Sequence, residues 1–319
     1  MKISARFLIV LATLDAMASV FAAGNGEYNS LDQARAANGR GEEVKALALS
    51  SQNLIELPSD IGSMKSLRRL YLAGNALKEL PPSIADLSDL QMIDVSMNQL
   101  SEFPAPLTAC TNLTRIMAFK NAITQLPADM RNLGNLHDIN LSVNQIAHLP
   151  DSIGGLKQLR IMILIHNNLV ELPDAIGNMR SLEVLDLRWN RLKSLPPAVG
   201  NLGSLRILAL QGNAIKDLPK AITNLAGLTV LNLAGNKIAT WPTAVGGLKN
   251  LRTLDIRDNP VEVFPDDIAS LKSLRKLHVS HTIPMSEIEK LRGLLPECSV
   301  LVGPENKENK GDVLKAPIK

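Results

Sequence analysis

Aromatic side chains are scarce: Phe, Trp and Tyr make up only 3% of a 319-residue chain that is 45% hydrophobic. Ordinary globular cores lean on a few large rings, so the many aliphatic residues here must fill a series of small, similar layers instead. Cysteine is nearly absent, and the pair Cys110 and Cys298 excludes a disulfide framework. No excess of one charge exists either. With 34 bases interspersed among 31 acids, a net charge of +3 supplies no dense basic field, which excludes nucleic acid as a partner. The sequence also lacks a G-x-S-x-G elbow, an H-E-x-x-H helix, a phosphate loop and a C-x-x-C pair. No enzyme activity, cofactor or metal is therefore expected.

Long apolar runs are missing too. The longest, Phe7 to Phe21, carries Asp15 and falls short of the roughly 20 residues that span a bilayer, so no membrane span is expected. Lys2 and Arg6 precede this run, and small residues close it before Gly24. That order is the pattern of a signal peptide over residues 1–22, cut after Ala22, and it predicts a secreted or periplasmic protein. No cysteine follows the run to accept a lipid.

What the sequence has is a period. Asn75, Asn98, Asn121, Asn144, Asn167, Asn190, Asn213, Asn236 and Asn259 follow one another at 23-residue steps, with Gln52 and Thr282 at the atypical ends. About 11 repeats occupy residues 44–301. Around each asparagine runs L-x-x-L-x-L-x-x-N-x-L-x-x-L-P, as in Leu182, Leu185, Leu187, Asn190, Leu192, Leu195 and Pro196. The L-x-L pair has the period of two that a short strand with one buried face requires, and such strands stack in parallel from coil to coil. Pairs such as Ile176 and Met179, or Ile222 and Leu225, have helix-like spacing and anchor the opposite, convex segment. The proline that follows each coil's last leucine, from Pro58 to Pro265, stops the strand from continuing. Each asparagine amide both donates and accepts, so a ladder of them serves backbone groups that water cannot reach. In such an array a unit touches only its neighbours, and the two distant cysteines are expected to be unpaired, buried thiols.

The repeat resembles the 23-residue leucine-rich repeats of bacterial exported proteins and of the Ras-binding intracellular group, through the shared L-P-x-x-I-G-x-L-x-x-L. Residues 57–67 show it as Leu57-Pro58-Ser59-Asp60-Ile61-Gly62-Ser63-Met64-Lys65-Ser66-Leu67. The stretch from Tyr28 to Val44 is similar to the opening cap of the bacterial set, and Leu295 to Val300 to its closing strand. This resemblance implies an α/β solenoid: a leucine-rich-repeat horseshoe with parallel strands on the concave face and short irregular or helical convex segments. The expected organisation is a signal peptide at 1–22, an N-terminal cap at 23–43, repeats at 44–301 and a disordered tail at 302–319.

The residues flanking the buried L-x-L pair face the concave side, so a candidate ligand-binding surface follows from the register. Most outward positions are small or polar, but repeats three to seven hold Met92, Met97, Met117, Phe119, Val143, Ile161, Ile163, Ile165, Val184 and Trp189. If exposed, these ten would exceed the few hundred Å² of contiguous apolar surface usual for a monomer, which marks an interaction site. Asp94, Arg115, Lys120, Asp138, Asn140, His166, Asp186 and Arg188 surround them as a polar rim. Trp241 occupies a leucine slot and is expected in the core. The register also sets Asp255 beside His278 and Asp258 beside His281, a group that reads as ordinary solvent-facing contacts before it reads as a metal site. The glycan-acceptor patterns at Asn112 and Asn140 are chance matches in a repeat rich in Asn-Leu.

These observations predict an exported recognition module whose partner is a protein. The alternatives are an intracellular scaffold of the Ras-binding type, and a binder of glycans or anionic polymers through Lys45, Arg68, Arg160, Arg206, Arg252 and Arg275, which share one position at the strand start.

Overall fold

The computed structural model describes residues 25–303. The expected signal peptide and all but the first two residues of the expected tail lie outside the described residues. The chain divides into two compact units, the first ending at Asn144 and the second beginning at Gln145.

The first unit opens with strand β1 (Glu27–Tyr28) and helix α1 (Leu31–Gly39), whose Ala34 and Ala37 are buried. Strands β2 (Ala46–Ala48), β3 (Arg69–Tyr71), β4 (Met92–Asp94), β5 (Arg115–Met117) and β6 (Asp138–Asn140) follow. All pair in parallel and in chain order, with Leu47, Leu70, Ile93, Ile116 and Ile139 opposite one another. Each of these central residues points into the core, while its two flanking residues take the other face, as strand alternation dictates.

The second unit repeats the plan with β7 (Ile161–Ile163), β8 (Val184–Asp186), β9 (Ile207–Ala209), β10 (Val230–Asn232), β11 (Thr253–Asp255) and β12 (Lys276–Ser280). Helix α2 (Met285–Leu294) then replaces the usual turn, and β13 (Ser299–Gly303) pairs with β12. The parallel register again advances by one repeat per strand, from Ile161 opposite Val184 to Lys276 opposite Ser299.

The helix-like spacing on the far side of each coil is realised as a five-residue 3-10 turn, for example Ser59–Ser63, Asp174–Asn178 and Lys220–Asn224. The proline at each N-cap, such as Pro58 with φ −65° and ψ 148°, sets the direction into that turn. Between β5 and β6 the equivalent stretch is irregular, and Asp129 and Arg131 form an ion pair of 2.7 Å there. The Ile-Gly of the signature has a steric cause. A Cβ on Gly154, Gly177 or Gly200 would lie 2.2–2.5 Å from the carbonyl oxygen of the alanine in the following coil, Ala175, Ala198 or Ala221.

The asparagine ladder forms as the sequence predicts. Asn190 Oδ1 accepts from the Leu169 amide at 3.0 Å, while its Nδ2 donates to the carbonyls of Leu164 at 2.9 Å and Leu187 at 3.0 Å. The same triad recurs at Asn98, Asn213 and Asn259. Gln52 takes part from the edge, its amide nitrogen donating to the carbonyl of Asn29 at 2.8 Å. Both cysteines are free. Cys110 is buried with its Sγ 3.2 Å from the Ile84 carbonyl, whereas Cys298 is only half-buried, contrary to expectation, because it lies in the last coil of the described residues.

Candidate functional site

The outward residues fall into columns that repeat once per coil. In the first unit, the leading column reads Ala46, Arg69, Met92, Arg115 and Asp138. Arg115 and Asp138 are ion-paired across β5 and β6 at 2.6 Å, so two members of the expected polar rim are already matched to each other. Met92 and Phe119 are half-buried and Met117 is 6% exposed.

In the second unit the leading column changes character. Ile161, Val184, Ile207 and Val230 lie opposite one another on four successive strands, all half-buried, before Thr253 and Lys276 continue the line. Ile207 and Val230 are part of this stripe and were not among the residues picked from the sequence. The signal was present: both stand one and two repeats beyond Val184 in the same column. Beside the stripe, Ile163 and Ile165 are each 7% exposed.

The expectation of ten exposed apolar side chains is therefore corrected. Met117, Ile163 and Ile165 are buried, and Met92, Met97, Phe119, Val143, Ile161, Val184 and Trp189 are half-buried. Neighbouring strands stand only about 4.8 Å apart, so branched side chains on one face shield each other's flanks and present their tips.

A further column, several of whose residues are among the candidates above, shares a backbone conformation that the sequence reading did not foresee. The residue just before each ladder asparagine has a positive φ: Met97 (55°), Lys120 (55°), Val143 (55°), His166 (53°), Trp189 (58°) and Asp258 (56°), with glycine at 74, 212 and 235. A left-handed residue with a Cβ costs about 1–2 kcal/mol, and a β-branched one such as Val143 is a rarity there. The three glycines in the same column are the sequence trace of this geometry. Non-glycine residues kept at such positions concentrate where a protein makes contacts.

In the second unit this column builds an aromatic stack. The rings of His166 and Trp189 lie 5.7 Å apart at 6°, close to parallel. Trp189 in turn lies over Gly212, where a Cβ would come within 2.4 Å of the indole. Trp189 is thus held between His166 and a glycine, on the same coils as the stripe. Burial first, and then the Arg188 charge, push the His166 imidazole below its ordinary range.

The polar groups around the stripe are largely engaged with one another. Asp186 receives Arg188 in a two-pronged contact, with 2.7 Å between Oδ2 and the guanidinium, and also accepts the Arg188 backbone amide. Asp255 is held in the same way by Arg257 at 2.7 Å. The register does bring His278 opposite Asp255, but the carboxylate is taken by Arg257, and no group of three metal-binding side chains occurs among the described residues. Trp241 sits in the core as expected, tilted against Phe264 with ring centroids 5.3 Å apart. Asn140 is buried, which speaks against it as a glycan acceptor, and its Oδ1 accepts from the Ser142 amide, while Asn112 donates to the Ser88 carbonyl at the surface. Among the described residues, no helix is long and apolar enough to cross a membrane.

A parallel strand, a turn and an asparagine rung repeated at fixed register define a leucine-rich-repeat protein, a class of protein-interaction scaffold. The chain belongs to that family: leucine-rich-repeat profiles match residues 42–100 and 180–238, a leucine-rich-repeat region matches 114–191, and a further repeat matches 250–271. No curated protein matches it in sequence. Among solved structures, it is similar to a leucine-rich-repeat protein of Leptospira interrogans, at 25% identity and TM-score 0.58 over 87% of this chain and 100% of that one. It is also similar to the plant peptide hormone receptor RGFR1 in complex with RGF2, at 28% identity and TM-score 0.60, covering 82% of this chain but only 48% of the receptor. The internalin InlF of Listeria monocytogenes shares the fold at 21% identity and TM-score 0.66, over 82% of this chain and 72% of that chain.

Proposed function

We propose that this chain is an exported, non-enzymatic recognition module that binds a protein ligand on the outer face of its parallel strands. In the second unit the contacts are Ile161, Val184 and Trp189, extended by Ile207 and Val230, and in the first unit they are Met92, Met97, Phe119 and Val143; Met117, Ile163 and Ile165, which are buried, support them from beneath. The observation that carries this reading is the leading column of the second unit. Its four branched aliphatic residues stand on the side of the sheet away from the core, where the fold gains little from them. That a peptide hormone receptor shares the fold is in keeping with this use.

Export rests on Lys2, Arg6 and the apolar run that follows. Protein recovered from the producing cell should begin near Ala23, and an intact Met1 on cytoplasmic protein would overturn that part of the proposal. Binding is tested by unbiased capture of partners with the intact chain beside a Val184→Ser/Ile207→Ser variant. The wild type should recover a protein that the variant loses while its melting temperature shifts little. Equal recovery by both would place the contact on another face.

A further inference from the structure

The charges of the second unit's outer face do not cancel, and the remainder says what kind of ligand fits. Three of its carboxylates are matched within the chain: Glu183 with Arg160 at 2.6 Å, Asp186 with Arg188 at 2.7 Å and Asp255 with Arg257 at 2.7 Å. The side chains of Asp186 and Asp255 are only 5% and 11% exposed, so they offer little to a ligand. The fourth, Asp258, stands in the field of the same Arg257. Arg206, Arg252 and Lys276 are exposed, and none has an ionic partner among the described residues. Arg206 directly precedes Ile207 of the stripe, while Arg252 and Lys276 flank its far end at Thr253. Arg206 and Arg252 immediately precede strands β9 and β11, two strand spacings or about 10 Å apart.

Resting on the reading of this face as a binding surface, we propose that its ligand is an acidic polypeptide segment. Its aliphatic side chains cover Ile161, Val184, Ile207 and Val230, and its carboxylates pair with Arg206, Arg252 and Lys276. A sulfated or carboxylated polysaccharide would satisfy the cations but not the stripe, because branched aliphatic tips offer a sugar no hydrogen bond and gain only from apolar contact. A neutral apolar peptide would satisfy the stripe and leave the cations idle. Only a chain carrying both kinds of group meets both features, and such charge complementarity acts chiefly on selectivity and on the rate of encounter.

The test pans a random-peptide phage library against the intact protein, the exposed-charge variant Arg206→Glu/Arg252→Glu, and Val184→Ser/Ile207→Ser, with folding checked by circular dichroism. Enriched peptides should be acidic and rich in aliphatic residues. A synthetic copy of one should bind at least about tenfold more weakly to each double variant, and more weakly still in high salt, as screened charge pairs require. Enrichment of neutral or basic peptides that still depend on Val184 and Ile207 would overturn the acidic ligand while leaving the binding surface standing. Binding of heparin that depends on the arginines and ignores the aliphatic substitutions would assign the face to a polyanion and overturn the proposal. No enrichment over a control protein would overturn it as well, while the partner-capture experiment separately decides whether the face binds protein.

Discussion

The two units share one backbone plan and differ in what they display on it. At the same column position the first unit carries Arg69, Met92, Arg115 and Asp138, and the second carries Ile161, Val184, Ile207 and Val230. The rungs differ as well. In the first unit Asn75, Asn98 and Asn121 are partly exposed and only its last rung, Asn144, is buried, whereas Asn167, Asn190, Asn213, Asn236 and Asn259 of the second are all buried. The inward leucines that define the fold are nearly interchangeable between units, so the fold places no demand on the chemistry of the outer face. Recognition and stability are written at different positions of the same coil.

The largest test of that separation is on the stability side. Asn190→Ala takes the acceptor from the buried Leu169 amide, and one of two donors from the Leu164 and Leu187 carbonyls, and should cost about 1–3 kcal/mol. Gln52→Ala, at the exposed edge, should stay within about 0.5 kcal/mol. Denaturant midpoints of the two variants measure the difference, and equal losses would mean the ladder is not what holds the coils together.

Next in size is the left-handed column. Lys120→Gly in the first unit relieves a strained Cβ at an exposed site and should stabilise by about 0.5–1 kcal/mol, the part of the strain left after the extra entropy of an unfolded glycine. His166→Gly relieves the same strain but removes half of the stack with Trp189, so its net gain should be smaller. Thermal melts of both would break the comparison if His166→Gly proved the more stabilising.

A smaller effect is expected with pH. Burial lowers the imidazoles of His166 and His278, both in the second unit, below their ordinary range. The unfolded chain then takes up protons that the folded one refuses. Stability is full above the ordinary histidine range and declines as pH falls through it toward the lowered folded values. Denaturant midpoints of the whole chain should drop between about pH 7 and pH 5, and a His166→Gln/His278→Gln variant should lose most of that slope.

The smallest expected difference concerns the thiols. Burial raises both to about 11, so both should react slowly with a thiol reagent near neutral pH, and half-buried Cys298 should react before buried Cys110.

Much of this molecule was legible in its sequence because the repeat makes position and role the same thing. The asparagine step located the rungs, and the L-x-L alternation gave strands whose observed register advances by the same step. The proline positions gave the turns. The outward columns were legible too, although Ile207 and Val230 needed the column to be followed past the densest cluster. Exposure was not legible, since how far Ile163 and Ile165 are shielded depends on side chains from adjacent strands and not on their own alternation. The left-handed column was hidden for a related reason: glycine marks it at only three coils, and Met97, Val143 and Trp189 give no local sign of a positive φ. Nor did spacing show that Asp186 and Asp255 are consumed by the arginines two residues on, which turns an apparently mixed face into a cationic one.

The asparagine rungs also have a direction. Every side-chain hydrogen bond of Asn190 runs to a residue already earlier in the chain, to Leu164, Leu169, Leu187 and Arg188, and the side chains of Asn98 and Asn259 do the same. A nascent chain emerging from the ribosome can close each rung as soon as its asparagine appears, without waiting for anything that follows. Assembly of the array can therefore keep pace with its own delivery, coil by coil, in the order of synthesis.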